Sequence, residues 1–581
     1  MKKIIYSFLL ATVLGSCYED KGNYEYTLDF MNEITSVTFS PAVAETAKGK
    51  VIEVQQALNE DDTYRRIDVT LEQTREKDAK YLQYYWERTY TDVDGKTVKD
   101  TIHSNGFLEF NLPVGKAMSY SIFLKIYDEK TTLSHYSKFK IETRPLFKNS
   151  LFVLHGEAGV RKLGNIEIIG NETKTRTDIT EIVGGNGFEN AVGLAYTTYL
   201  GKSSDKMDKE VNSFIVFNNG KEAVSYNPFG MEKNEYDVFR PNTLNESFIF
   251  KKMMIAGYGD RDDNRRIALS ENGEVCIGNY THALYKPGYQ IEENGGNDRH
   301  QSDYNITAAV IDGQRFIFWD AKHNRFLHCY SREDNNDFPI YEIIPDNTYL
   351  TSSVEMRDAY VDFTTLEDVP SPENMTAVLG YINYGEESYK SNNSYFIFKD
   401  ENGEFYRYEL TRIKLDGDSK PSNSIDREAN KPAFSITGEK LKGFMSDCDI
   451  ASVTYNSSFT TNYLFYSDGK NIYRYSVLSG DNVQVYTAPE GYDITVMKFR
   501  TEDSSVYTGD LRRILSIGLY NGTNGAVAEI KFNTAADIDE DFEPLFYDKG
   551  DDGSKWGKIK DLQFTDEYLY YNAYGENNEN E

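Results

Sequence analysis

YLFYSDGKNIYRYSV, residues 463–477, holds a β-rich run, an Asp-Gly turn and a second β-rich run. Aromatic and branched side chains favour a pleated, packed surface, and Asp-Gly between two such runs is the sequence sign of a tight hairpin. The same arrangement returns along the chain. It reads FIVFNNGKEAVSY at 214–226, RIALSENGEVCIG at 266–278, RFIFWDAKHNRFLHCY at 315–330, YFIFKDENGEFYRYEL at 395–410 and LSIGLYNGTNGAVAEIKF at 515–532. LFVLHGEAGVRKLGNIEII, 151–169, is a looser first copy.

The turn residues Gly159, Gly220, Gly273, Asn324, Gly403, Gly469 and Gly522 follow one another at intervals of 51 to 79 residues, by subtraction of their positions. Four-stranded propeller blades of about 40–50 residues with loops added have such periods. Residues 146–575 are therefore read as a β-propeller of seven blades. No blade buries both of its faces alone, so the repetition is a requirement of folding and says nothing yet about chemistry. A last run, DLQFTDEYLYYNAYG at 561–575, either closes the ring against the first blade or forms an eighth unit. The tail ENNENE, 576–581, is too polar to bury and is expected to be disordered.

Upstream, residues 27–145 show short alternating segments instead. EITSVTFS, GKVIEVQQAL, YRRIDVTLEQ, YLQYYWERTY, GFLEFNLP, MSYSIFLKIYDE and SHYSKFKIET carry apolar residues at period two. Seven short strands in this length predict an immunoglobulin-like β-sandwich, with Trp86 on a central strand facing the core. Pro145 marks the boundary. The expected class is all-β, sandwich followed by propeller.

The N-terminus adds a leader. Lys2 and Lys3 precede an apolar run, Ile4 to Val13, that is of signal-peptide length and too short to span a bilayer. Leu14-Gly15-Ser16-Cys17 is the pattern of a bacterial lipobox, in which the cysteine thiol takes the lipid and becomes the new N-terminus. Residues 1–16 are thus a lipoprotein signal peptide and 17–26 a lipidated anchor and linker. The expected membrane attachment is the lipid alone.

The formal charge is −30, from 63 basic and 93 acidic residues. A chain so acidic lacks the basic footprint that phosphates need, which argues against nucleic acid and against polybasic attachment to anionic lipid. Beyond Cys17 the cysteines are Cys276, Cys329 and Cys448. This odd number is scattered too widely to outline a disulfide framework and leaves any pairing open.

CYEDKGNYEY at 17–26, YYWE at 84–87 and GFLEFNLPVGKAMSYSIFLKIYDE at 106–129 resemble the PKD-like surface lipoproteins of Gram-negative gut bacteria that accompany SusC/SusD-type nutrient importers. The resemblance covers residues 17 to 145. It implies an outer-membrane, lipid-anchored protein facing the cell exterior, partnered with a SusC/SusD-type transporter complex. It also implies that the acids behind the lipidated cysteine, Glu19 and Asp20, form the signal for surface export.

Catalytic signatures are scarce. No HExxH helix, GxSxG elbow or GxxxxGK[ST] loop occurs. The seven histidines lack metal-ligand spacing and are read as surface or half-buried groups. Acidic runs at Asp260, Asp537 and Asp548 offer oxygen ligands that calcium could use, but none has EF-hand spacing, so no cofactor is expected. Asp551, Gly553 and Trp556 match part of a sialidase Asp-box without its leading Ser.

The more informative feature is aromatic, with 45 Tyr against 33 Phe and 3 Trp. THALYKPGYQ places Tyr285 and Tyr289 in a Pro/Gly loop, and GYINYGEESYK places Tyr384 and Tyr389 near another. Tyrosine offers a flat apolar face with a polar tip, which suits gripping a glycan or a peptide; its ordinary role is packing between strands. The expectation is a binding protein accessory to an importer that takes an oligomeric glycan or peptide, or the importer itself, without catalysis. The alternatives are a propeller-type glycosidase or lyase and a purely structural component of the importer.

Overall fold

The computed structural model describes residues 32–565 apart from 47–48, 58–62, 92–95, 105, 114–117, 145–146, 148, 170–171, 181, 183–187, 202–208, 219–221, 229, 232–248, 257–264, 279–283, 286–287, 290–303, 313–314, 332–353, 359–360, 362, 384–392, 413–433, 445–447, 457, 460–461 and 501–509. The chain divides into two compact units, Met1–Leu146 and Phe147–Glu581.

The first unit contains β1 (Ile34–Ser40), β2 (Ala44–Thr46), β3 (Gly49–Gln55), β4 (Tyr64–Gln73), β5 (Leu82–Thr91), β6 (Thr97–Ser104), β7 (Phe107–Asn111), β8 (Ser119–Asp128) and β9 (Ser134–Arg144). They form a three-stranded sheet, β1-β4-β7, and a six-stranded sheet, β2-β3-β9-β8-β5-β6. In β8, Tyr120, Ile122, Leu124 and Ile126 are buried while Ser119, Ser121 and Phe123 are exposed, so period two puts one face on the core. Trp86, fully buried as expected, packs with Ile122, Leu124, Phe139 and Ile141, and with Ile67 and Leu108 of the other sheet. Its indole N–H donates to Ser104 Oγ at 3.0 Å. Nine strands stand where seven were read. The two additions, β2 and β6, are both terminal in the larger sheet, and β6 (TVKDTIHS) has no fully buried residue, so neither carries an apolar signal.

The second unit is the propeller. Its first sheet joins β10 (Ser150–His155), β11 (Lys162–Ile169) and β12 (Glu172–Arg176) to a strand from the far end of the chain. The second holds β13 (Ala191–Gly201), β14 (Lys209–Asn218) and β15 (Glu222–Tyr226). The third holds β16 (Phe250–Ala256), β17 (Arg265–Ser270), β18 (Val275–Gly278) and β19 (Leu284–Tyr285). In the fourth, β20 (Gly288–Tyr289) runs parallel to β24 (Val354–Asp358), which continues into β23 (Arg325–Ser331), β22 (Arg315–Asp320) and β21 (Ile306–Asp312). The fifth is β25 (Thr376–Asn383), β26 (Asn393–Lys399), β27 (Phe405–Arg412) and β28 (Phe434–Lys440). The sixth is β29 (Thr454–Tyr455), β30 (Tyr463–Ser467), β31 (Asn471–Ser476) and β32 (Asn482–Thr487). The seventh is β33 (Asp493–Phe499), β34 (Ile514–Tyr520), β35 (Gly525–Lys531) and β36 (Leu545–Tyr547).

The strand that completes the first sheet is β37 (Ile559–Thr565), antiparallel to β10 with Phe152 opposite Gln563. Residues 561–565 of the terminal run therefore close the ring against the first blade; 566–575 lie outside the described residues. First strands of successive sheets meet one another: β13 packs on β16, β16 on β21 and β21 on β25, while β33 meets β37 and β37 meets β13.

The opening stretch shows why the blades need each other. In the hairpin of β30 and β31, Ser467 lies opposite Ile472, and the Asp468 carboxylate accepts from the Lys470 and Asn471 N–H groups at 2.8 and 2.7 Å. Gly469 takes φ +91°, where a side chain would be strained. Of the turn residues read from the sequence, all but Gly220, which lies outside the described residues, have positive φ. Phe465 packs with Phe499 and Phe532 of the seventh blade, whereas its neighbours Leu464 and Tyr466 pack with Tyr381 and Ile397 of the fifth. Adjacent residues on one strand thus enter two different inter-blade cores. Where β25 meets β21, a Cβ on Gly380 would lie 2.5 Å from the Ala309 carbonyl oxygen, so glycine permits the contact.

Cys276 and Cys448 are buried; the Cys329 side chain lies outside the described residues.

Candidate functional site

Three first strands, β33, β37 and β13, meet where the ring closes, and their polar side chains converge. Lys498 Nζ donates to Gln563 Oε1 at 2.9 Å, lies 3.5 Å from the Leu194 carbonyl oxygen and 3.9 Å from Asp561 Oδ1. Asp561 Oδ2 accepts the Leu194 N–H at 2.7 Å. Lys498 and Asp561 are each 20% exposed. An ammonium has three donors and no acceptor, and three acceptors surround this one. The cluster holds the closing strand between its neighbours and supplies an ion pair, with no nucleophile beside a base.

A second cluster clasps the same blade further out. His155 Nδ1 accepts the Gly557 N–H at 2.9 Å, which leaves Nε2 to carry the proton and donate to the Thr177 carbonyl at 2.6 Å. Burial pushes the His155 pKa below its ordinary value, against the opposing pull of the Thr177 carbonyl. Against the expectation of a surface or half-buried group, His155 is buried, because β10 lies inside its sheet, between β37 and β11. The acidic run 548–556 belongs to this clasp. Asp551 Oδ2 accepts the Thr175 N–H at 3.1 Å, Lys555 pairs with Asp548 at 2.6 Å, and Trp556 is buried against His155. The run at Asp537 likewise makes internal ion pairs, Asp537 with Arg474 and Asp539 with Lys531. Asp260 lies outside the described residues.

Each buried carboxylate described in the propeller has its own arginine. Glu529 takes a bidentate pair from Arg500, at 2.9 and 2.7 Å, and a third bond from Ser516 at 2.7 Å. Asp320 is held by Arg325 at 2.9 Å, by His323 and by the Asn305 and Lys322 N–H groups. Glu167 is paired with Arg176 at 3.3 Å. Such pairs satisfy charge within one blade and offer no free acid or base. Among the described residues no group of His, Cys, Asp and Glu is arranged to hold a metal ion.

Tyr285 lies opposite Ile277, one residue from the end of β18, and Tyr289 opposite Met356 in the middle of β24, so both backbones run along the outer edges of blades three and four. Their side chains, and the whole of Tyr384 and Tyr389 in the segment between β25 and β26, lie outside the described residues, as do Cys17, Glu19 and Asp20. Nearby tyrosines that are described pack internally. Tyr381 stacks on Tyr395 and Tyr455 at 5.2 and 4.3 Å, and burial pushes its phenol pKa up to about 12. Lys498, Asp561 and Gln563 escaped the sequence reading because no local motif links residues brought together by closure.

The geometry defines an all-β protein in which a two-sheet sandwich precedes a seven-bladed propeller closed by its own C-terminal strand. Residues 17–191 are similar to the PKD-like family, and the match extends past the sandwich through β10, β11 and β12 to the first residue of β13. No curated protein matches the chain. Among solved structures, a quinoprotein alcohol dehydrogenase-like protein from Bacteroides thetaiotaomicron is similar at 8% identity and TM-score 0.34, over 88% of this chain and 95% of its own. An apocarotenoid oxygenase from Synechocystis is similar at 10% identity and TM-score 0.32, over 73% and 93%. Likeness at this level carries no inference about activity. No described helix is long and apolar enough to cross a membrane.

Proposed function

We propose that this chain is a lipid-anchored accessory protein of the bacterial cell surface that binds an oligomeric nutrient, or the SusC/SusD-type importer that takes it up, and turns nothing over. The observation that carries the reading is the start of the PKD-like match at residue 17, the cysteine of Leu14-Gly15-Ser16-Cys17. A domain that begins at the residue expected to become the lipidated N-terminus fits an anchored, exported chain. Glu167, Asp320 and Glu529 each pair with an arginine and so serve the blades that hold them. Glu19 and Asp20 are the proposed surface-export signal, and the loops carrying Tyr285, Tyr289, Tyr384 and Tyr389 are the proposed binding loops.

Protease added to intact cells should degrade the native protein, and Cys17→Ala should abolish its detergent-phase partitioning. A variant that still partitions and is processed normally refutes the anchor. Calorimetry against neutral glycan and peptide panels, with product analysis alongside, tests the rest; reproducible turnover moves the reading to a propeller hydrolase or lyase.

A further inference from the structure

The core-averted face of the six-stranded sheet carries aromatic and basic side chains over β6, β5, β8 and β9; its acids are Glu87, opposite Phe123, and Glu142 and Glu53 at the β3 side. Register sets Tyr85 opposite both His103 and Lys125, Lys125 opposite Tyr136, and Phe123 opposite Lys138. With strands about 4.8 Å apart, the row His103-Tyr85-Lys125-Tyr136 spans about 14 Å. Phe123 and Tyr136 are 39% and 55% exposed and stack at 5.5 Å. Tyr85 meets His103 edge-on at 4.7 Å, and the Lys125 ammonium lies 5.8 and 5.2 Å from the Tyr85 and Tyr127 rings. Lys140 follows Lys138 along the same face of β9. Among the described residues no carboxylate pairs with Lys125, Lys138 or Lys140; Lys99, nearer the edge, pairs with Glu87 at 2.8 Å.

This patch departs from the charge of the molecule. Residues 27–145 hold 19 acidic and 16 basic side chains, so nearly all of the −30 lies elsewhere. Solvated lysines on a strand are ordinary, but large apolar rings exposed among them are not.

We propose that this sheet face binds an anionic polysaccharide, a polymer bearing carboxylate or sulfate groups on its sugar rings. The inference goes beyond the reading above, because the face belongs to the sandwich and not to the propeller loops. Rings flank the Lys125 ammonium on both sides at strand spacing, and Phe123 adjoins Lys138, which matches a stiff chain with an apolar sugar face and anions along it. An acidic peptide supplies the charge without the flat face.

The test is calorimetry of the full chain against polygalacturonate, chondroitin sulfate, methyl-esterified polygalacturonate and poly-glutamate. Binding to at least one of the two charged glycans, weaker for the esterified polymer and weakened by salt, is the expected result. Lys138→Glu with Lys140→Glu should weaken it about tenfold, since each exposed charge pair is worth a factor of about two to five. Phe123→Ser with Tyr136→Ser should remove it while leaving the circular dichroism unchanged, because both rings are exposed. Absence of binding to both charged glycans overturns the proposal. So does equal binding of poly-glutamate, or binding that survives loss of the two rings, since either reduces the face to simple charge attraction.

Discussion

In the sandwich, β5 lies between β8 and β6 and β3 runs parallel to β9, so most strands pair with partners distant in sequence. In the propeller, β30 pairs with β29 and β31, and nearly every sheet is built from consecutive strands. The exceptions are β20 and, above all, β37, which crosses the whole unit to reach β10. One architecture distributes its long-range order over many pairings. The other concentrates it in a single closure, reinforced by Lys498, Asp561 and His155. Damage to the closing strand should therefore be felt by the whole propeller and by nothing else.

The largest effect tests that contrast directly. Ending the chain after Gly557 removes β37, and scanning calorimetry should then lose the propeller transition while retaining that of the sandwich. If the truncated propeller keeps its transition, closure is not where its cohesion resides.

Two substitutions sharpen the comparison at equal size. Arg500→Met leaves Glu529 buried without its partner and should cost the propeller about 3–5 kcal/mol, most of it recovered by adding Glu529→Leu. Trp86→Ala should cost the sandwich about 3–5 kcal/mol through the cavity it leaves. Each should move one calorimetric transition only; a joint shift would mean that the two units melt together.

The smallest effect is that of pH. His155 is held neutral, with its folded pKa below the ordinary 6.5. Its contribution is complete above about pH 6.5 and is lost as pH falls from there through the folded value, because the unfolded chain binds the proton first. The propeller transition should drop between pH 7.5 and 5.5 in the native chain and drop less in His155→Asn, as read from melting curves. Equal slopes for the two chains would remove His155 from the account.

Much of the propeller was legible because each hairpin carries its own turn chemistry. Asp468 and Gly469 specify a reversal whatever surrounds them, and the paired apolar runs on either side require packing on both faces. In the sandwich, Trp86 and the alternation of β8 were equally plain. β6 was not, because an edge strand without buried residues has the composition of a loop. Histidine burial failed for a related reason: the environment of His155 is made by Thr177 and Gly557, far away in the chain.

By itself the sequence determined the local elements: the hairpins, their turns, the inward face of the sandwich strands that carry apolar residues at period two, and the charge. These follow from backbone preference and from period, which act over a few residues. Only the tertiary structure decided that the terminal run closes the ring, that Lys498, Gln563 and Asp561 meet, and that Tyr85, Phe123, Lys125, Tyr136 and Lys138 share one exposed face. Such groupings depend on register between strands distant in the chain, and register is set by the packing of whole sheets, which no short stretch contains.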